Sequence, residues 1–384
     1  MSRQVETRNV VVTGLGLVSC AGEGVEAHLA AYRSGDGPRT DSATFAPYPV
    51  HPVAPLTLDG QIPKKSDQRQ MEPWQRLGVY AAGLALEAAG AKADAALKAA
   101  MHLVVAAGGG ERDYAVDGQI LTGLRNAADP GAYLNERLLN DLRPTLFLAQ
   151  LSNLLAGNIA IVHGVTGASR TFMGEESSGV DALRIAQARI AAGQLDIVLV
   201  GGSYNAERPD VLLIHEMGGY LSKPSYRPVF ERAETPGFIL GSGAAFLVLE
   251  AEDHARRRGA RALARLDAVA SDRTKRRDGS VGESLTGLWS KAGLAKPDAV
   301  ISAATGCAGI TGEEREALKT LAPQVPVRAL GDLTGHTLEA AAPFGAALAV
   351  ALVAAGEARE VAVTTVGHRR GEGVLRLTTT GESA

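Results

Sequence analysis

The feature that most constrains this chain is a repeated unit. Gly179–Val200 reads GVDALRIAQARIAAGQLDIVLV, and Ala342–Val363 reads APFGAALAVALVAAGEAREVAV. Aligned on their shared Ala-Ala-Gly, both are a small-residue helix start, a buried helix, a glycine stop and a buried strand. Helix–glycine–strand units are common in α/β proteins, so coincidence alone could produce the match. Duplication is the reading that organises the rest: two similar halves packed face to face.

Other segments fit that plan. Asn9–Gly14, which ends in glycine, and His102–Ala107, which runs into Gly108–Gly110, are short β-branched or apolar runs that read as buried strands. Apolar periodicity predicts helices over Gln68–Gly90 and Arg143–His163. A strand pair is expected at Gly237–Leu240 and Gly243–Glu250. Strands follow at 262–270, Asp298–Ala303 and Glu360–Val366, with helices at Ser284–Ala292, Glu313–Leu321 and Phe344–Ala355. Residues 39–66, rich in Pro, Ser, Thr and Asp, read as an irregular excursion.

Aromatic residues are only 4% of the chain, which favours close-packed α/β layers over a β-sandwich. A formal charge of −3 gives no basic excess for nucleic acid. Cys20 and Cys307 show no ligand spacing and read as reduced thiols. His51, His102, His163 and His215 form no ligand pattern, so no metal is expected. The first residues lack a signal-peptide apolar core, and no run is long enough to span a membrane. A cytoplasmic protein is the expectation.

Five segments then carry a resemblance. RNVVVTGLGLVS, LSNLLAGNIAIVHGVTG, PGFILGSGAAFLVLE, HARRRGARALARL and LTGHTLEAAAPFGAA, in that order, resemble the elongating β-ketoacyl-carrier-protein synthases over nearly the whole chain. The resemblance implies the thiolase fold: an α/β protein of five layers, αβαβα, with halves at 1–250 and 251–384, and dimers built across a strand edge. It implies no resident cofactor, because phosphopantetheine arrives on the acyl carrier protein.

That family condenses an acyl thioester with a malonyl thioester. The chemistry needs a cysteine thiolate at a helix start, two histidines that stabilise an enolate, and a lysine. In GEESSGV the cysteine position holds Glu176. In ATGCAGITG the first histidine position holds Thr305. In GDLTGH the lysine position holds Gly331, and only the second histidine survives, as His336. A carboxylate is a poor acyl carrier, and an acyl–glutamyl anhydride would hydrolyse readily. Thr305 brings no positive charge against an enolate. Cys307 reads as a small buried residue rather than a relocated nucleophile.

Other departures agree. The apolar gating loop becomes Gly367-His368-Arg369-Arg370, either relieved of its duty or supplying arginines to Glu176 or a partner's acid. Glu111 sits in the loop that would reach a partner's acyl tunnel, where a buried carboxylate would end or redirect it. The segment between Ser271 and Ser284 is short for the family. Lys64, Lys65 and Arg69 are either docking charges for acyl carrier protein or a solvated helix start.

Three functions follow from the resemblance. The first is a non-condensing subunit, like a chain-length factor, paired with an active synthase or with itself. RPTLFLAQLSNLLAGN, SRTFMGEE and DQRQME narrow this to the cysteine-less second synthases of α-proteobacterial very-long-chain fatty acid clusters, which serve lipid A. The others are a malonyl-carrier-protein decarboxylase or atypical synthase, and a carrier-protein binding module without chemistry. Partners of nucleic-acid or membrane type are not expected.

Overall fold

The computed structural model describes residues 7–381 apart from 143–145, 147, 149 and 224. Its frame is two five-stranded sheets with one plan. The first comprises β1 (Val10–Ser19), β2 (His102–Ala106), β3 (Ser169–Phe172), β4 (Ile197–Tyr204) and β5 (Gly243–Ala251). The second comprises β6 (Ala264–Asp272), β7 (Ala299–Ser302), β8 (Val327–Ala329), β9 (Glu360–Val366) and β10 (Glu372–Thr378).

The first sheet runs β3-β2-β4-β5-β1 and the second β8-β7-β9-β10-β6. Each has two parallel pairings followed by two antiparallel ones, in corresponding places. The sheets join where Val11 and Val12 of β1 meet Arg265 and Ala264 of β6. This is the duplicated plan that the Ala-Ala-Gly repeat implies.

Six helices complete the layers: α1 (Pro73–Ala88), α2 (Leu154–His163), α3 (Glu176–Ala191), α4 (Ser280–Lys291), α5 (Ile310–Leu321) and α6 (Ala341–Ala354). Helices α3 and α6, the helices of the two repeats, share the central core with both sheets. Helix α6 is buried throughout Ala341–Val353, as a helix apolar on all faces must be. Helices α1 and α2 cover one outer face, and α4 and α5 the other. The order is therefore αβαβα.

Local physics moves several expected boundaries. The helix expected over Gln68–Gly90 is divided before Pro73. Pro73 lacks an N–H and opens α1, where Glu72 and Gln75 form a capping box. The helix expected over Arg143–His163 is interrupted: Leu146 and Leu148 are helical, a turn follows, and α2 starts at Leu154; positions 143–145, 147 and 149 lie outside the described residues. Gly237–Leu240 is not a strand beside β5. It makes isolated parallel bridges, Phe238 to Leu221 and Leu240 to His336. No helix among the described residues is long and apolar enough to cross a membrane.

Helix α1 lies so close to β1 that β1 must carry glycine. A Cβ on Gly16 would sit 1.9 Å from the Ala81 carbonyl oxygen, and one on Gly14 2.3 Å from that of Ala85. Both obstacles are backbone and cannot rotate away. Gly16→Ala is expected to lower stability by at least about 2 kcal/mol, as overpacking against an immovable neighbour does. A urea unfolding midpoint unchanged from wild type would contradict this account of the first sheet.

Candidate functional site

The site lies at the N-terminus of α3, where two loops from the second half converge. Glu176 is the first residue of α3 and is 1% exposed. Glu175 precedes it with φ 58° and ψ −143°, a conformation disfavoured for a residue with a Cβ. The Ser178 hydroxyl and N–H both donate to the Glu175 carbonyl oxygen, fixing the turn. The helix N-terminus also favours a negative charge at Glu176.

Two histidines meet that carboxylate. His336 Nε2 and His368 Nδ1 each lie 2.8 Å from Glu176 Oε1, and the His368 backbone N–H donates to the same oxygen at 3.3 Å. A carboxylate oxygen can only accept here, so both ring nitrogens donate. His336 is carried by the Leu240 bridge: its N–H donates to Ile239 and its carbonyl accepts from Gly241. His368 lies in the turn joining β9 to β10, against the rings of Tyr220, Phe238 and His215.

Burial alone would push the Glu176 carboxyl up; the hydrogen bonds from His336 and His368 outweigh it and hold the group well below the usual carboxylate range. Burial alone would push the His368 imidazole down; the bond to Glu176 reverses this and raises it. Each group thus favours the charged form of the other.

The turn around His368 is held from several sides. Arg276, from the short segment between β6 and α4, donates to the Gly367 carbonyl oxygen at 2.7 Å and pairs with buried Glu372. A Cβ on Gly371, which has φ 91°, would lie 2.6 Å from Ser177 Cβ. The expectation that the arginines reach Glu176 is corrected. Arg369 instead lies 3.3 Å from Glu175 Oε1, Arg370 is exposed, and the histidine between glycine and arginine takes Glu176. An imidazole delivers an N–H at close range from a buried turn, while the longer guanidinium side chains keep their charge in water.

The other marked positions are not drawn into this cluster. Thr305 is buried and accepts from the Cys307 N–H. The Cys307 thiol is pushed up to about 11 by burial, so it is no thiolate near neutral pH. Gly331 opens a one-turn helix against Val229, where a Cβ would approach the valine side chain to 2.9 Å. Glu111 does not reach outward. It is buried in its own chain and accepts from the Trp74 N–H at the start of α1 and from Asn205 Nδ2. Lys64, Lys65 and Arg69 are exposed at a short helix, with Lys65 paired to Asp59.

Sequence reasoning missed Glu339. It is 5% exposed, and its Oε2 has no hydrogen-bond partner. Gly108 makes room for it, because a Cβ there would be 2.6 Å from Glu339 Oε1. The available signal was a lone acid in the small-residue run LEAAAPFGAA. Glu339 helps line a cavity of about 410 Å³ beside Glu175, with Tyr204, Arg208 and His215. Arg208 pairs with Asp210 at 2.5 Å and donates to the Gly110 carbonyl oxygen, while Trp74, Val211, Ile214 and Leu338 give the cavity an apolar side.

Burial pushes the Glu339 carboxyl up to about 7, with the charges of Glu176 and Glu175 adding to the rise. A carboxyl raised on folding stabilises nothing as an anion. Its penalty is absent below about 4.5, where both states hold the proton, and grows until the folded group ionises near 7. Wild type is therefore expected to lose roughly 3 kcal/mol between pH 4.5 and 8 relative to Glu339→Gln. Parallel stability curves for the two proteins, measured by urea unfolding across that range, would refute a buried neutral Glu339.

Comparison with known proteins agrees with this frame. Residues 7–255 match the family described as Beta-ketoacyl synthase, N-terminal domain. The chain is 25% identical over 375 residues to 3-oxoacyl-[acyl-carrier-protein] synthase 2 of Vibrio cholerae serotype O1, covering 89% of this chain and 85% of that protein. It is 29% identical over 265 residues to the tetracenomycin polyketide synthase ketoacyl synthase beta subunit of Streptomyces glaucescens, covering 65% and 60%. A solved structure, the ishigamide ketosynthase/chain length factor, superposes with a TM-score of 0.81 at 22% identity, covering 98% of this chain and 100% of that one. The thiolase-type layers, the repeated strand order and the family match together make this chain a member of the β-ketoacyl synthase family.

Proposed function

We propose that this chain is a non-condensing member of its family, a subunit that pairs with a cysteine-bearing synthase acting on acyl carrier protein. The observation that carries the reading is the closed contact of Glu176 with His336 and His368. A condensing site needs a free nucleophile at the start of α3 and a histidine N–H free to meet an enolate oxygen. Here the nucleophile position is a buried carboxylate, and the surviving histidine donates to it.

The same contact weighs against a malonyl decarboxylase. With His336 Nε2 engaged and Thr305 donating no positive charge, the developing enolate has no cationic donor. The gating turn is also tied down by His368 and Arg276. The narrower role, in very-long-chain fatty acid synthesis, rests on the sequence resemblance, and the likeness to a ketosynthase/chain length factor structure supports the pairing.

The test uses the full chain alone and mixed with a synthase that keeps Cys, both His and Lys. Acyl- and malonyl-carrier proteins are supplied, and 3-oxoacyl product and CO₂ are measured. The chain alone is expected to give neither, and the mixture to form a stable complex that yields longer acyl products than the synthase alone. Product from the chain alone would overturn the proposal, as would CO₂ without product or failure to form a complex. Glu176→Cys is expected to stay at least about a hundredfold below an active synthase, because the first histidine and the lysine are still missing.

A further inference from the structure

A cavity of about 300 Å³ lies between the start of α5 and the segment 229–236. It shares no lining residue with the cavity beside Glu175. Arg232 and Arg315 belong to its wall, and among the described residues no Asp or Glu lines it. Arg232 is only 3% exposed. Its Nε donates to the Arg227 carbonyl oxygen and its Nη1 to that of Gly237, while its Nη2 is buried without a hydrogen bond. Burial pushes the guanidinium down from its ordinary value. A buried charge without a close counter-ion is costly, and an anion in this cavity would offset that cost.

The loop before α5 adds backbone donors. Gly306 and Gly309 have φ of 86° and 75°, which favours glycine at both. In the first turn of α5 the N–H groups of Ile310, Thr311 and Glu313 donate to the carbonyl oxygens of Ala308, Cys307 and Gly309; that of Gly312 has no such acceptor. A helix start with a free N–H favours a negative group. The Thr311 hydroxyl accepts from the Gly306 N–H and keeps its own proton to donate.

The neighbouring acids are already engaged. Glu313 accepts from the N–H groups of Gly279 and Val281, Glu314 from the hydroxyls of Ser302 and Thr364, and Glu316 pairs with Lys319. Asp332 and Glu231 line a different cavity, where Asp332 accepts from the Tyr226 hydroxyl and the Val229 N–H. Arg315 is exposed and gives one N–H to the Phe230 carbonyl oxygen, so most of its fork is free.

From this arrangement we propose that the cavity binds the phosphate group of a small organic phosphate ester, held by Arg232, Arg315 and the start of α5. Guanidinium forks and backbone N–H groups converging on one place suit a multiply charged oxyanion with several acceptor oxygens better than a single carboxylate. Val229, Phe230, Ala233 and Pro236 offer an apolar side to the organic part. The inference does not rest on the pairing role, since it concerns a cavity that Glu176, His336 and His368 do not line.

The experiment titrates the full chain by calorimetry, in phosphate-free buffer of low ionic strength, with phenyl phosphate, inorganic phosphate and benzoate. One phenyl phosphate per chain is expected, bound more tightly than either of the other two. Affinity is expected to be at least about tenfold weaker in Arg315→Ala and in Gly312→Glu, and unchanged in Arg125→Ala, an exposed cation far along the chain. Arg232 is left intact because it holds two backbone carbonyls. Arg315 is exposed and a Cβ on Gly312 would meet nothing within 4 Å, so both variants retain the fold, which circular dichroism checks. No saturable binding, or equal affinity in wild type and both variants, would overturn the proposal. Benzoate binding as tightly as phenyl phosphate would overturn the assignment to phosphate, and inorganic phosphate doing so would overturn the organic ester. No acyl substrate enters the assay, so its outcome is independent of the condensation test.

Discussion

The arrangement described here depends on one buried negative charge. Glu176 sits at the start of a central helix, beyond the reach of solvent, and an isolated carboxylate there would cost several kcal/mol. The helix N-terminus meets part of that cost, and His336 and His368 meet the rest by donating to one oxygen. Three segments distant in sequence are thereby tied together: the start of α3, the loop before α6 and the turn between β9 and β10. Removing one partner of such a contact leaves the other buried and unpaired, the situation that makes such groups hard to lose singly.

The duplicated frame is what brings those segments to one place. Helices α3 and α6 occupy corresponding positions between the two sheets, and a Cβ on Gly179 would lie 2.5 Å from the Glu339 carbonyl oxygen. That contact leaves no freedom in how the start of α3 faces the approach to α6. The Leu240–His336 bridge then sets His336, and the β9–β10 hairpin sets His368. The elbow at Glu175, a strained backbone worth of order 1–3 kcal/mol, persists although no thiolate is presented there. The frame over-determines it.

The repeat was legible because buried helices and strands leave long periodic runs, and a glycine stop marks their boundary. The strands β3, β8 and β10 were not. Ser169–Phe172 and Val327–Ala329 are short, and Glu372–Thr378 mixes charged and polar residues into its run, so none stands out locally. Within the site, Glu176 and His336 could be placed from their motifs. Their direct contact could not, because it depends on a bridge between segments far apart in sequence. His368 was read with its neighbouring arginines as a cationic turn, yet burial divides them: the imidazole is inside and the guanidiniums are outside. Sequence order cannot show that division, since adjacent residues of a tight turn can face opposite ways. The setting of Glu111 was not legible either, as its partners Trp74 and Asn205 come from elsewhere in the chain.

The residues around Glu176 are also mutually consistent. A glutamate at position 176 with an apolar residue at position 368 would lose the imidazole donor and keep only His336, the backbone N–H of residue 368 and the helix N-terminus. Histidine at 368 with a neutral residue at 176 would bury an imidazole with no acceptor for its Nδ1 proton. A Cβ on Gly331 would meet a methyl of Val229 at 2.9 Å, and Glu339 occupies space that Gly108 leaves open. Each substitution is acceptable because another is present. Such interdependence is expected where the chain retains a definite arrangement at this site.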